Sequence, residues 1–139
     1  MAFRRSEQAH ARIVSMDLSA ARAVPGVIAV LSAADLQGLR GPVLASSRMK
    51  NYYATPIWPL AQDKVRYVGE AVVAVLAESR YIAEDAAELV QIEFDVLPAI
   101  DRPEDALAEG APLLHEAAGT NLLLQRGFQI ELGIERIGR

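Results

Sequence analysis

The chain is predicted to fold as a small α+β domain, two main helices packed on short mixed strands. Three observations carry this. Apolar β-branched runs of strand length recur at Ala11–Met16, Val27–Leu31 and Ala71–Leu76. One segment, Arg80–Val90, has its alanines at helical spacing. Two helices segregated among short strands are the pattern of a small α+β domain.

Taken in order, Ala11–Met16 is rich in Ile and Val and reads as a strand. Asp17 and Ser19 offer N-caps for a short helix, Ala20–Val24, closed by Pro25-Gly26. Val27–Leu31 is a continuous apolar run, the pattern of a buried strand. Ser32 can cap one further helical turn through Leu36. From Gln37 to Gln62 the periodicity dissolves into glycines, prolines and the aromatic patch Tyr52, Tyr53 and Trp58. A loop of this length in a small domain is usually functional or disordered.

Order resumes at Lys64. Val65–Val68 and Ala71–Leu76 read as two strands parted by a turn or bulge at Gly69-Glu70. Ser79 is positioned to cap the helix Arg80–Val90. In that helix Ala83, Ala86, Ala87 and Val90 share one face, and Glu84, Asp85 and Glu88 lie mostly on the other. Ile92, Phe94 and Val96 alternate with Glu93 and Asp95, a further strand. Pro103-Glu104-Asp105 opens a last short helical turn, with proline at its favoured first position. In the tail, Phe128, Ile130, Leu132 and Ile134 alternate with polar residues and glycine. That strand pattern is without an obvious partner, and it would dock at an edge or serve as a sticky terminus. Residues 1–118 are expected to form one domain and 119–139 a separate tail.

The 139 residues suffice for one core. A hydrophobic share of 52% with 23% charged residues is that of an ordinary soluble globular protein. The net charge of −4, with no basic patch, points away from nucleic acid and anionic membranes. The absence of cysteine excludes disulfides, thiolate metal sites, iron–sulfur ligation and cysteine nucleophiles in this chain. No run approaches the roughly 18 apolar residues of a membrane span. The start, MAFRRSEQ, lacks a signal-peptide core, so a cytoplasmic location is expected.

No catalytic constellation emerges. His10 and His115 lie far apart in sequence with no carboxylate at metal-ligand spacing, so a shared metal site would need the fold to join them. Glu84-Asp85, Glu88 and Glu104-Asp105 read as a solvated helix face and helix-start charges more readily than as an acid–base couple. No serine sits in a nucleophile elbow, and no glycine-rich phosphate loop occurs. Arg66-Tyr67-Val68-Gly69-Glu70 reads as a bulge before a binding element. Tyr52, Tyr53 and Trp58 either cover the core or contact another chain.

The blocks AHARIVSMD, SAARAVPGV, VLSAADL, RYVGEAVVAVLAESR and AEDAAELV, within Ala9–Leu36 and Asp63–Leu107, resemble a known family in its block order. That family is the molybdenum hydroxylase large subunit (xanthine dehydrogenases, aldehyde oxidases, carbon monoxide dehydrogenases), and the match is to its N-terminal α/β-hammerhead domain. Departures are FRRSEQAHARI where the family reads close to FVRSPHAHARI, and Gly69-Glu70-Ala71 where it reads VGEP. The first residues of the domain are missing by this comparison, so a frayed strand near Met1 is expected.

The resemblance implies an oxidoreductase family in which this domain has a structural, assembly role. The segments that hold the molybdopterin and supply the catalytic base come later in the family and are lacking here. No catalytic, cofactor or metal residue is therefore assigned, and the chain alone is expected to be inactive. Molybdopterin is expected in the parent or partner subunit. The implied partners are the molybdopterin-binding and iron–sulfur portions of a hydroxylase complex, or a second copy of the chain. Tyr52, Tyr53, Trp58, Phe128, Ile130 and Leu132 are the candidate interface. The alternatives are a self-associating structural module and a small independent ligand-binding domain.

Overall fold

The structure is a computed structural model that describes residues 1–39, 41–44, 49 and 52–125. Its strands are β1 (Ala2–Arg5), β2 (Ala11–Asp17), β3 (Val27–Leu31), β4 (Val43–Leu44), β5 (Pro56–Ile57), β6 (Lys64–Val65), β7 (Ala71–Ala77) and β8 (Gln91–Val96). Its helices are α1 (Ser19–Arg22), α2 (Arg80–Glu88) and α3 (Pro103–Ala106). Two three-stranded sheets, ordered β1-β7-β3 and β6-β2-β8, and the ribbon β4-β5 are built from antiparallel pairs.

β7 is the spine. Val72, Val73 and Val75 are fully buried because the strand is paired on both sides and α2 packs across its sheet. The helix presents Ala83, Ala86 and Ala87 to that sheet, all buried, as their spacing predicts; it ends at Glu88, so Val90, expected in its last turn, is buried just beyond it. Small alanine side chains let the helix axis approach closely. Ser79 Oγ accepts the Ile82 N–H at 3.2 Å, which is the expected N-cap.

Several expectations are corrected. β3 is an edge strand, not a buried one. Val27↔Ala77 is followed by Ala29↔Leu76, so Ile28 is an extra residue in a bulge and is 69% exposed. β2 carries a similar bulge. Ile13↔Phe94 is followed by Ser15↔Glu93, which pushes Val14 outward and brings Ile13 and Met16 to the same core face. Val96, expected to face inward with Ile92 and Phe94, is exposed at the end of β8.

The strand expected over Val65–Val68 stops at Val65. Tyr67 to Glu70 instead form a turn, with Gly69 at φ 90° in the third position and the Glu70 N–H donating to the Tyr67 carbonyl. This turn carries the chain from one sheet to the other, so β6 and β7 are not a hairpin. β1 is not frayed: it pairs with β7 from Ala2↔Val75 to Arg5↔Ala71. The helical turn Ala34–Leu36 is capped differently from expectation. Asp35 reaches back to accept both the N–H and the hydroxyl of Ser32, each at 2.7 Å. These bonds hold the Asp35 carboxyl below its usual range.

Candidate functional site

A hollow of about 500 Å³ lies where the Tyr67–Glu70 turn, the entry to β2 and the segment after β8 meet. His10 and His115, far apart in sequence, both line it. The fold thus joins the two histidines, although no three metal-ligating side chains gather anywhere among the described residues. Asp101, Arg66, Arg102, Thr120 and Asn121 supply the other polar side chains of the wall, amid Tyr67, Val68, Ile100, Leu114 and Leu123.

His10 is held from both sides. Its carbonyl accepts the Leu97 N–H at 2.9 Å, and its Nδ1 lies 2.8 Å from the Pro98 carbonyl oxygen, which requires Nδ1 to be the donor. Nε2 is buried and meets no partner among the described residues. Arg66 is in a similar position. One guanidinium nitrogen donates to the Lys64 carbonyl at 3.2 Å and another lies 3.8 Å from Asp63 Oδ1, while the buried Nε–H finds no acceptor among the described residues. Burial first, then the positive charges of Arg66 and Lys64, keep His115 below the usual imidazole range.

Beside it, Lys64 is buried on β6 and reaches Glu116 Oε1 at 2.6 Å. This bond holds the Glu116 carboxyl at about 2. Asn121 secures the outer wall: its Nδ2 donates to the Ala106 and Pro112 carbonyls, and its Oδ1 accepts the Leu114 N–H, all at 3.0 Å.

Of the candidate interface residues, Tyr52, Tyr53 and Trp58 lie among the described residues. Tyr52 and Tyr53 are half-buried, and the Tyr53 N–H donates to the Leu123 carbonyl at 3.0 Å. Trp58 is 36% exposed and borders a separate hollow of about 250 Å³ with Leu36 and Leu60. Phe128, Ile130 and Leu132 lie outside the described residues. The loop expected to be irregular contains the β4-β5 ribbon, and there Val43, Leu44 and Ile57 are 66%, 58% and 56% exposed. The paired carboxylates stay on the surface: Glu84 pairs with Arg80 at 2.8 Å and Asp105 with Arg102 at 3.9 Å. Sequence reasoning missed Lys64 and Glu116. Nothing local marks a lysine for burial, since its partner comes from 52 residues away.

Comparison with known proteins defines the class first. Residues 1–98 match the family model described as "Aldehyde oxidase and xanthine dehydrogenase, a/b hammerhead domain". The carbon monoxide dehydrogenase large chain of Afipia carboxidovorans is 44% identical over 117 residues, covering 82% of this chain and 14% of that protein. A probable xanthine dehydrogenase polypeptide of Bacillus subtilis is 40% identical over 126 residues, covering 89% of this chain and 15% of that protein. The crystal structure of quinoline 2-oxidoreductase from Pseudomonas putida 86 superposes with a TM-score of 0.79 at 43% identity, over 84% of this chain and 15% of that one.

The chain belongs to the α/β-hammerhead domain family of the aldehyde oxidases and xanthine dehydrogenases. It spans about 14–15% of the length of these relatives. Several are named as subunits of larger complexes, among them a molybdenum-binding subunit from Escherichia coli. No helix among the described residues is long and apolar enough to cross a membrane.

Proposed function

We propose that this chain acts as an assembly domain of a molybdopterin-dependent hydroxylase, providing a surface on which the molybdenum-binding and iron–sulfur portions pack. The hammerhead unit is residues 1–118, with Asn121 tying the start of the 119–139 tail to it. The observation that carries this reading is the β4-β5 ribbon. Its Val43, Leu44 and Ile57 are exposed apolar side chains on a paired ribbon, and Trp58, of a type enriched at interfaces, follows directly. Tyr52 and Tyr53 lie on the same loop and extend the proposed interface.

Molybdopterin chemistry belongs elsewhere in the assembly on this reading. The chain has no cysteine, and its described residues gather no metal-ligating cluster, so no catalytic step is assigned to its side chains. The test is purification of the tagged chain from its native cells, read by mass spectrometry together with molybdenum content. Recovery of a molybdopterin-binding polypeptide with stoichiometric metal supports the assembly role. A bare, metal-free chain refutes it.

A further inference from the structure

After β8 the chain runs through residues 97–125, none of which is buried, whereas three valines of β7 are fully buried. This segment supplies one part of the wall of the 500 Å³ hollow, and His10, Tyr67 and Val68 supply another. A gap between two surfaces forfeits the dispersion contacts that would hold them together. Few buried contacts and an open gap are the marks of a region that opens below the global unfolding free energy.

The polar contacts divide the same way. At the start of the segment the Leu97 N–H donates to the His10 carbonyl at 2.9 Å, and His10 Nδ1 donates to the Pro98 carbonyl at 2.8 Å. At its end the Tyr53 N–H donates to the Leu123 carbonyl at 3.0 Å. Between those ends, Lys64–Glu116 is the one hydrogen bond or ion pair to the rest of the molecule among the described residues. The three bonds of Asn121 stay inside the segment, where they join Ala106 of α3 to Pro112 and Leu114. The segment is thus knit to itself and fastened to the body at its two ends and at one point between them.

We propose that residues 99–122 are a strap that lifts from the hollow as one body, with the Lys64–Glu116 pair as its latch and protonation of His115 as its release. The charges around His115 are Lys64 on β6, Arg66 just after it, and Glu116 on its own turn. Asp101, Arg102, His10 and Tyr67 complete the titratable lining of the hollow. A proton on His115 sets a third positive charge beside Lys64 and Arg66 while the strap is closed, and water screens that repulsion once it lifts. The closed form is therefore fully favoured above the ordinary imidazole value of 6.5 and is weakened as pH falls through the lower value of the closed state. Glu116 stays ionised down to about 2, so the latch keeps its charge throughout that window. Lifting opens the hollow and uncovers the Lys64 ammonium while β7 and its sheet stay folded.

The test is native-state amide hydrogen exchange on the full chain at pH 7.5 and 5.5, with each rate divided by its intrinsic value. The reporters are the hydrogen-bonded amides of Ala106, Leu107 and Ala108 in one group, and of Leu114, Ala118 and Gly119 in the other. Both groups are expected to share one opening equilibrium, more populated and less sensitive to urea than that of β7. It should rise about three- to tenfold on going to pH 5.5, and the rise should vanish in His115→Gln. Glu116→Gln should increase opening about tenfold at pH 7.5. Gly26→Ala, which strains the turn before β3 and touches no part of the strap, should speed exchange in β7 and leave the strap unaltered. Equal acceleration of both by Gly26→Ala overturns the proposal, since the strap would then open only by global unfolding. Unequal opening of the two groups, or no effect of Glu116→Gln, also overturns it. So does a pH response that is absent or that persists in His115→Gln.

Discussion

Lys64 and Glu116 form an ion pair across the join between the sheet β6-β2-β8 and the C-terminal segment, with Nζ and Oε1 2.6 Å apart. The two ends are unequal. The lysine side chain is 2% exposed and the glutamate 59% exposed. A buried ammonium depends on its partner, whereas an exposed carboxylate can be resolvated by water.

That asymmetry sets the outcome of substitution. Glu116→Ala strands the ammonium and is expected to cost about 2 kcal/mol. Lys64→Met removes the buried charge and keeps the apolar stem, and is expected to change stability by no more than ~1 kcal/mol. Urea denaturation of both variants checks this. A Lys64→Met loss larger than that of Glu116→Ala would contradict the stated burial.

Acid should weaken the fold in two stages. His115 is held below its ordinary value of 6.5, so its contribution is complete above that pH and is lost as pH falls through the lower folded value. Glu116 shifts from 4.5 to about 2, so its contribution is complete above 4.5 and is lost as pH falls toward 2. Solvent screening of the exposed carboxylate limits the second stage to about 1 kcal/mol. His115→Gln should flatten the first stage and Glu116→Gln the second, in urea midpoints measured from pH 7.5 down to 2.5.

Gly26 is required twice over. Its φ of 85° serves the third position of the Val24–Val27 turn after Pro25, and a Cβ there would lie 2.9 Å from Ile82 Cδ1. Gly26→Ala is expected to lower stability by about 2 kcal/mol, from αL strain plus displacement of Ile82 on α2. Thermal unfolding measures it, and an unchanged midpoint would refute it.

Asn121 closes the segment after β8 through three hydrogen bonds. Asn121→Ala should cost about 1–2 kcal/mol and raise amide exchange over residues 106–121 more than in β7. Uniform exchange throughout the chain would show that the segment is held by something else.

On the ribbon, Leu44→Lys and Ile57→Lys remove apolar surface that makes little contribution to the isolated fold. Stability should change by less than about 0.5 kcal/mol. Recovery of the molybdenum-binding portion with the tagged chain should fall. Loss of stability instead would place these residues in the core of this domain.

The sequence by itself determined the elements whose signals are local. The spacing of Ala83, Ala86 and Ala87 set the buried face of α2, Ser79 its start, and Pro25-Gly26 the turn before β3. The family blocks determined the hammerhead class, and residues 1–98 match that model. Tertiary structure decided what depends on distant partners. Ile28 lies in a run that reads as a buried strand, and Val14 in one that reads as a strand, but register against β7 and β8 puts both at bulges that face outward. β6 and β7 read as strands parted by a turn or bulge at Gly69-Glu70, and the turn there sends them to different sheets. His10 and His115 met in one hollow, and Lys64 was buried, because segments separated by more than fifty residues closed over them. Local periodicity records which way a side chain faces within its own element, whereas strand register and loop closure depend on the partner across the gap.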